Sequence, residues 1–183
     1  VSVGDGCIIG GLHKGLKDLL ALGWIDHMPR IIGVQAEGSA FMYEAWVDGE
    51  DVLTKTAVSG ITIADSISAG LPRDRIKALA AITETEGAYV SVTDDEILAA
   101  IPDLARATGV FAEPAGAAAY AGLIKAVEMD LIYPDDRIVI LNTGSGLKDI
   151  KSAMKSVEMV GTTPNHVEPN LADLKRVMSK IKQ

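Results

Sequence analysis

Residues 1–20 have the sequence VSVGDGCIIGGLHKGLKDLL, and five of the first fifteen residues are glycines. Val1–Val3 is typical of the end of a strand; apolar residues then recur at helical spacing from Ile8 to Leu20, and Gly23 occupies the position of a C-terminal cap. Free backbone N–H groups and the positive end of a helix dipole converge on such a turn, where glycine allows close approach. The sequence therefore predicts a phosphate-binding loop after the first strand, although the same glycines also suit a plain tight turn.

Length and composition are those of one globular domain. The chain has 183 residues, of which 48% are hydrophobic and 23% are charged. Its net charge of −8 argues against a nucleic acid or an anionic membrane as the main partner. No apolar run approaches the roughly 18 residues that a transmembrane helix needs. Cys7 is the only cysteine, which excludes an internal disulfide framework and favours a reducing, cytoplasmic location.

Strand patterns alternate with helical patterns along the rest of the chain. Strands are predicted at 30–36, 88–92 and 137–142, and helices at 73–86, 94–108, 115–129 and 171–182. This alternation predicts an α/β fold with a mostly parallel open sheet flanked by helices. Glycine-rich loops follow Val3 and Asn142, and ligands bind beyond the carboxyl ends of the strands in such sheets. We expect the domain to span 1–160, and 161–183 to form a linker and an amphipathic helix.

One candidate for the bound phosphate group is a dinucleotide. Gly4, Gly6 and Gly10 form a loosened G-x-G-x-x-G pattern, and Glu37 follows the next strand, where a ribose-binding acid is expected. The glycine interval differs from the pattern, however, and Glu37 comes later than the usual ~20 residues. A fragment of a nicotinamide-dependent dehydrogenase therefore stays a weaker hypothesis.

Four segments, in order along the chain, carry a resemblance to a known family. They are VGDGCIIGG from residue 3, SISAGLPRDR from 66, GVFAEPAGAAAYAGL from 109 and TGSGLKD from 143. They resemble the phosphate loop, a cofactor-domain segment, the EPAGA helix start and the TGHGLKD turn of fold-type II pyridoxal-phosphate enzymes, with threonine synthase as the best match. Thr143-Gly144 stands where serine and threonine dehydratases usually carry Ser-Gly-Gly. Cys7 replaces a usual glycine, and Ser145 replaces the histidine of TGHGLKD.

The resemblance implies pyridoxal phosphate as the cofactor and assigns residues to it. The cofactor phosphate would be held by the backbone of Gly4, Asp5, Gly6, Cys7 and Ile8. The Thr143 hydroxyl would hydrogen-bond the pyridine nitrogen, Glu113 would lie near the cofactor ring, and Ser145 would lie near the substrate. A neutral hydroxyl partner leaves that nitrogen largely unprotonated, which in the family favours elimination and replacement chemistry. Without the resemblance, Thr143 also suits a plain turn and Glu113 a helix N-terminus, where the dipole favours an acid.

The family's Schiff-base lysine lies N-terminal to the glycine loop, and no motif in this sequence matches it. Lys17 is expected on a solvated helix face, and Lys148 belongs to the TGSGLKD turn, where the family does not place that lysine. The resemblance therefore implies no catalytic residue here, and we expect a truncated cofactor domain that is inactive alone. Because such a domain would leave a sheet edge uncovered, we expect a homo-oligomer or a complementary chain that carries the missing N-terminal half.

The remaining residues indicate no second kind of site. His13, His27 and His166 are far apart in sequence, so no metal site is predicted and each is expected at the surface or at a helix end. The resemblance implies a cofactor domain of a threonine synthase-like enzyme, which in the intact family converts O-phosphohomoserine to threonine. An amino-acid dehydratase or ammonia-lyase stays open, as does a non-catalytic ligand-binding or interaction module.

Overall fold

The computed structural model describes residues 1–161 and 165–181. Two strands and seven α-helices are assigned within those ranges, together with three short 3-10 helices at Glu37–Ser39, Asp65–Ile67 and Gly146–Lys148. In chain order the main elements are α1 (Cys7–Ala21), β1 (Ile32–Ala36), α2 (Phe41–Asp48), α3 (Arg75–Thr83), β2 (Ala88–Val92), α4 (Asp94–Thr108), α5 (Pro114–Glu128), α6 (Ile150–Met159) and α7 (Leu171–Ile181).

β1 is the central strand of a small parallel sheet. It pairs with β2 in parallel along its whole length. On its other side, Ser2 and Val34 form a parallel bridge, in which the Val3 amide donates to the Val34 carbonyl at 2.8 Å. Residues 1–3, β1 and β2 therefore run in the same direction, with β1 in the middle.

Helices cover both faces of this sheet. α4 and α5 pack on one face around Val34, Val90 and Ile97, whereas α1, α2 and α3 pack on the other around Ile9 and Tyr89. The predicted α/β fold, with helices flanking a parallel sheet, is confirmed.

Two buried contacts fix the helices on the sheet. α5 lies very close to β1, since a Cβ at Gly122 would be only 2.2 Å from Cγ2 of Val34. On the opposite face the Tyr89 hydroxyl donates to the Ala78 carbonyl at 2.7 Å and so joins β2 to α3. Burial raises the pKa of Tyr89, because the charged phenolate is poorly solvated there.

Segment 137–142, predicted as a strand, is not one in the structure. It has no strand partner, and no hydrogen bond joins it to another part of the described chain. Ile138 and Val139 are 47% and 84% exposed. The apolar pattern of this segment suits a buried strand, but a strand forms only against a neighbour, and the described residues place none beside it.

Two helices were not predicted from the sequence, α2 and α6. The start of α2 is held by the Gln35 side chain, whose Oε1 accepts from the amides of Met42 and Tyr43 at 2.8 and 2.9 Å. The start of α6 is capped by Asp149, whose carboxylate accepts from the Ser152 amide at 3.1 Å. The hydrogen bond from the Ser152 hydroxyl lowers the pKa of Asp149.

The predicted C-terminal helix is present as α7. It buries Val177, while Leu171, Leu174 and Met178 stay exposed. Part of the predicted linker, residues 162–164, lies outside the described residues, as does 182–183 at the end of the predicted helix. The division of the chain at residue 160 therefore stays a prediction.

Candidate functional site

The loop between the first strand and α1 presents a row of unpaired backbone donors. The amides of residues 4–9 donate no hydrogen bond to any group in the described part of the chain, and the first helical bond runs from the Gly10 amide to the Gly6 carbonyl at 3.0 Å. Gly6 has φ 89, a left-handed conformation that favours glycine, and it turns the chain into α1. Because these donors lie at the positive end of α1, the loop is built to bind an anion.

The segment that contains SISAGLPRDR packs directly on this loop. A Cβ at Gly4 would lie 2.8 Å from Cα of Ile67, and a Cβ at Gly6 would lie 2.9 Å from the carbonyl oxygen of Asp74. Neither position has room for a side chain. Two of the four sequence motifs therefore meet here, although they are separated by some sixty residues along the chain.

The side chains of the loop are directed toward residues 73 and 74. The Asp5 carboxylate accepts from the Arg73 amide at 3.3 Å, and the Asp5 carbonyl accepts from the Asp74 amide at 2.8 Å. A hydrogen bond with Asp74 raises the pKa of the Cys7 thiol, so this cysteine stays neutral beside the anion site. Ile8 is about half exposed.

The second glycine-rich loop is paired with the residues that precede α5. The Glu113 amide donates to the Gly144 carbonyl at 3.0 Å, and the Gly146 amide donates to the Phe111 carbonyl at 2.9 Å. A Cβ at Gly144 would lie 1.9 Å from Oε1 of Glu113, so the loop fits tightly over this carboxylate. The EPAGA and TGSGLKD motifs therefore form one unit.

Lys148 connects that unit to the phosphate loop. Its ammonium lies 3.1 Å from the Glu113 carboxylate, which is only 8% exposed, and it also contacts the Ser66 hydroxyl. Ser66 directly precedes Ile67, which packs on Gly4. All four motifs thus meet at the carboxyl end of the first strand, and the sequence gave no sign of the contact between residues 66 and 148.

Glu113 is the N-cap residue of α5, but its side chain caps no amide there and pairs with Lys148 instead. Thr143 is exposed, and its hydroxyl makes no hydrogen bond with the described residues, so it is available to a ligand. The Ser145 hydroxyl accepts from the Leu147 amide at 3.3 Å and is exposed. These positions are compatible with the predicted ligand contacts, which stay predictions.

Comparison with known families decides what kind of phosphate this loop serves. The model of the family described as pyridoxal-phosphate dependent enzyme matches residues 1–144. The chain belongs to this family. Its cofactor is pyridoxal phosphate, and the free amides of residues 4–9 fit the phosphate group of that molecule. The dinucleotide hypothesis based on Glu37 is therefore set aside.

Curated relatives narrow the similarity. The chain is 40% identical over 169 residues to the threonine synthase of Methanosarcina acetivorans, a match that covers 92% of this chain and 40% of the relative. It is 37% identical over 182 residues to the threonine synthase of Methanocaldococcus jannaschii, covering 99% of this chain and 44% of the relative. The chain therefore spans less than half the length of the relatives that it matches.

A solved structure supports the fold. The processed form of threonine deaminase isoform 2 from Solanum lycopersicum superposes with a TM-score of 0.67 at 26% identity, over 88% of this chain and 43% of the deaminase. The expected fold-type II cofactor domain, similar to that of threonine synthase, is thus confirmed.

Other predicted features are resolved by the described residues. His27 and His166 are exposed and pair with neighbouring carboxylates, but His13 is buried at 6% exposure, so the prediction of a surface or helix-end position was wrong for His13. Within the part of the chain that the structure describes, no three metal-binding side chains are clustered. None of the described helices combines the length and the apolarity needed to cross a bilayer.

Proposed function

We propose that this chain is the cofactor-binding part of an enzyme that makes threonine from O-phosphohomoserine. The observation that carries the proposal is the row of unpaired amides at residues 4–9, to which the other three motifs are joined through Ile67 and Lys148. The similarity to two threonine synthases supports the substrate. Bound pyridoxal phosphate supplies an electron sink for elimination and replacement at the side-chain carbons of an amino acid.

The residues of this chain bind and orient the cofactor in this proposal. Amides of residues 4–8 hold its phosphate, and the Thr143 hydroxyl bonds the pyridine nitrogen. Lys148 neutralises the Glu113 carboxylate beneath the second loop and thereby keeps Thr143 in position. Ser145, which follows the Thr143-Gly144 turn, faces the substrate and contributes to its selection.

The lysine that bonds covalently to the cofactor is supplied by polypeptide outside these 183 residues. The two lysines that sequence position made tempting are engaged in ion pairs: Lys17 lies 2.9 Å from Glu84, and Lys148 lies 3.1 Å from Glu113. We therefore propose that the 183 residues bind pyridoxal phosphate but do not turn over substrate alone.

A second candidate function is an amino-acid dehydratase or ammonia-lyase. It is favoured by the superposition on the tomato threonine deaminase, which exceeds 25% identity. Assay of the completed enzyme with O-phosphohomoserine and with threonine separates the two reactions. Formation of inorganic phosphate and threonine from the first compound supports a synthase, whereas release of ammonia from the second supports a deaminase.

The binding proposal is tested by titrating the chain with pyridoxal phosphate, pyridoxal and NAD. We expect pyridoxal phosphate to bind most tightly, because pyridoxal lacks the group that the amides hold. Thr143→Val should weaken binding about three- to tenfold, the effect of one hydrogen bond, whereas the control Thr143→Ser should retain it. Equal affinity for pyridoxal and its phosphate, or tighter binding of NAD, would contradict the proposal. Borohydride reduction of the complex should label no single lysine stoichiometrically.

A further inference from the structure

A long apolar groove lies beside the sheet, away from the phosphate loop. Its volume is about 600 Å³. One side is formed by Val1 and the start of β1, the floor by Val34 and by α5 at Gly122, and the other side by segment 137–141. Nothing in the proposed cofactor contacts uses this groove.

Both sides of the groove are peptide edges without hydrogen-bond partners. The amide and carbonyl of Ser2 are bonded to no group in the described chain, because the bonds to β1 are made by Val1 and Val3. Residues 137–142 likewise make no hydrogen bond within the described ranges. Unpaired backbone groups beside buried apolar surface are rare in folded proteins, which indicates that peptide normally fills this space.

Segment 137–142 is held alongside the sheet and runs in the same direction as its strands. At its start, Arg30, which precedes β1, donates to the Asp136 carboxylate at 3.3 Å and to the Leu131 carbonyl at 3.1 Å. Beyond its other end, Lys148 reaches Ser66, next to the residue that packs on Gly4. The segment is therefore fixed at both ends, parallel to residues 1–3, with the groove between.

The size of the groove matches a strand. A residue in a packed sheet occupies about 160 Å³, from a rise of about 3.3 Å, a strand spacing of about 4.8 Å and a layer thickness of about 10 Å. The groove of about 600 Å³ therefore holds a strand of about four residues. Small apolar ligands would fill the volume but would leave both peptide edges unbonded.

We propose that an apolar strand from the polypeptide that completes the cofactor site inserts between residues 1–3 and 137–142. This inference rests on the proposed function for the identity of the partner. The relatives favour this occupant over a second copy, because more than half of their length lies outside the region that this chain matches. Insertion would convert 137–142 into the strand that its sequence predicts.

The first test joins this chain to the unmatched part of the Methanosarcina acetivorans threonine synthase and follows amide hydrogen exchange without cofactor. Amides of 138–141 should exchange quickly in the isolated chain and at least about a hundredfold more slowly in the joined protein. Equally fast exchange in both would refute the insertion. Because no cofactor is present, this result does not depend on whether the loop at residues 4–9 binds pyridoxal phosphate.

The second test co-expresses the same two pieces as separate chains and measures their co-purification. Val139→Asp should weaken capture at least about tenfold without changing the melting temperature of the isolated chain, since Val139 is 84% exposed there. The control Leu53→Asp, at another exposed apolar position, should do neither. Absence of capture, or equal loss with both variants, would overturn the proposal. So would sedimentation showing a homodimer of the isolated chain that Val139→Asp dissociates, because the occupant would then be a second copy.

Discussion

The ion pair between Glu113 and Lys148 should be energetically coupled, because it joins two motifs across a tightly packed loop. The carboxylate is 8% exposed and the ammonium 58% exposed, at 3.1 Å from each other. Two unit charges at this distance attract by about 1.3 kcal/mol in water and by about 5 kcal/mol at an effective dielectric constant of roughly 20. Ordering a half-exposed lysine side chain offsets part of this attraction.

We therefore expect a coupling free energy of about 1–2 kcal/mol. Lys148→Met alone should destabilise the chain by a similar amount, because it leaves a mostly buried carboxylate with fewer partners. For a chain of this size, that corresponds to a fall of roughly 2–8 °C in melting temperature.

The measurement is a double-mutant cycle by denaturant unfolding of the parent, Lys148→Met, Glu113→Gln and the double variant. The matched control is the pair Lys17–Glu84, whose charges are 2.9 Å apart and each about half exposed. That pair should give a coupling of at most about 0.5 kcal/mol. If the coupling of Glu113 with Lys148 is no larger than in the control, the loop is not held by this ion pair and the positioning role of Lys148 fails.

Three further predictions concern stability. Gly122→Ala should destabilise the chain by about 1–3 kcal/mol, because the added methyl group collides with Val34, whereas Gly15→Ala, in an open helical position, should stabilise it by about 0.5–1 kcal/mol; equal effects in denaturant unfolding would contradict the packing. Asp149→Ala should cost about 1 kcal/mol at neutral pH. Since the pKa of Asp149 is lowered on folding, its contribution should be lost as pH falls below about 4, and acid titrations of parent and variant should converge. Tyr89→Phe should reduce the loss of stability above pH 10, because the folded pKa of Tyr89 is raised; parallel thermal unfolding curves up to pH 11.5 would contradict this.

Elements with local signals were predictable from the sequence. α1 follows a strand end and glycines, and α4 begins at a capping box in which Thr93 and Glu96 bond each other's amides, as the sequence indicated. α2 was missed because the Gln35 side chain that holds its start comes from the preceding strand, outside any local capping pattern. α6 carried a usable signal, Asp149 three residues before Ser152, that was not used. The burial of His13 was also detectable, since it lies four residues from the buried Ile9 on one face of α1.

The site itself was only partly predictable. Motif order pointed to the loops at 4–8 and 143–146, because each has a local glycine pattern. The contacts that join them are not local: the ammonium of Lys148 reaches Ser66 from a loop more than eighty residues away in sequence. Segment 137–142 shows the same limit in reverse, because its residues favour a strand while the pairing depends on peptide that must lie beside it.

The groove and the cofactor site are linked by geometry. The phosphate loop follows residues 1–3, and Thr143 follows 137–142, so the two segments that flank the groove also carry the two ends of the proposed cofactor contact. A single inserted strand would fix these segments about 9.6 Å apart, twice the usual strand spacing. Filling the groove would then set the distance between the free amides and the Thr143 hydroxyl, and cofactor affinity should increase with strand insertion. Linkage makes the effect reciprocal, so bound pyridoxal phosphate should tighten capture of the completing polypeptide by the same factor.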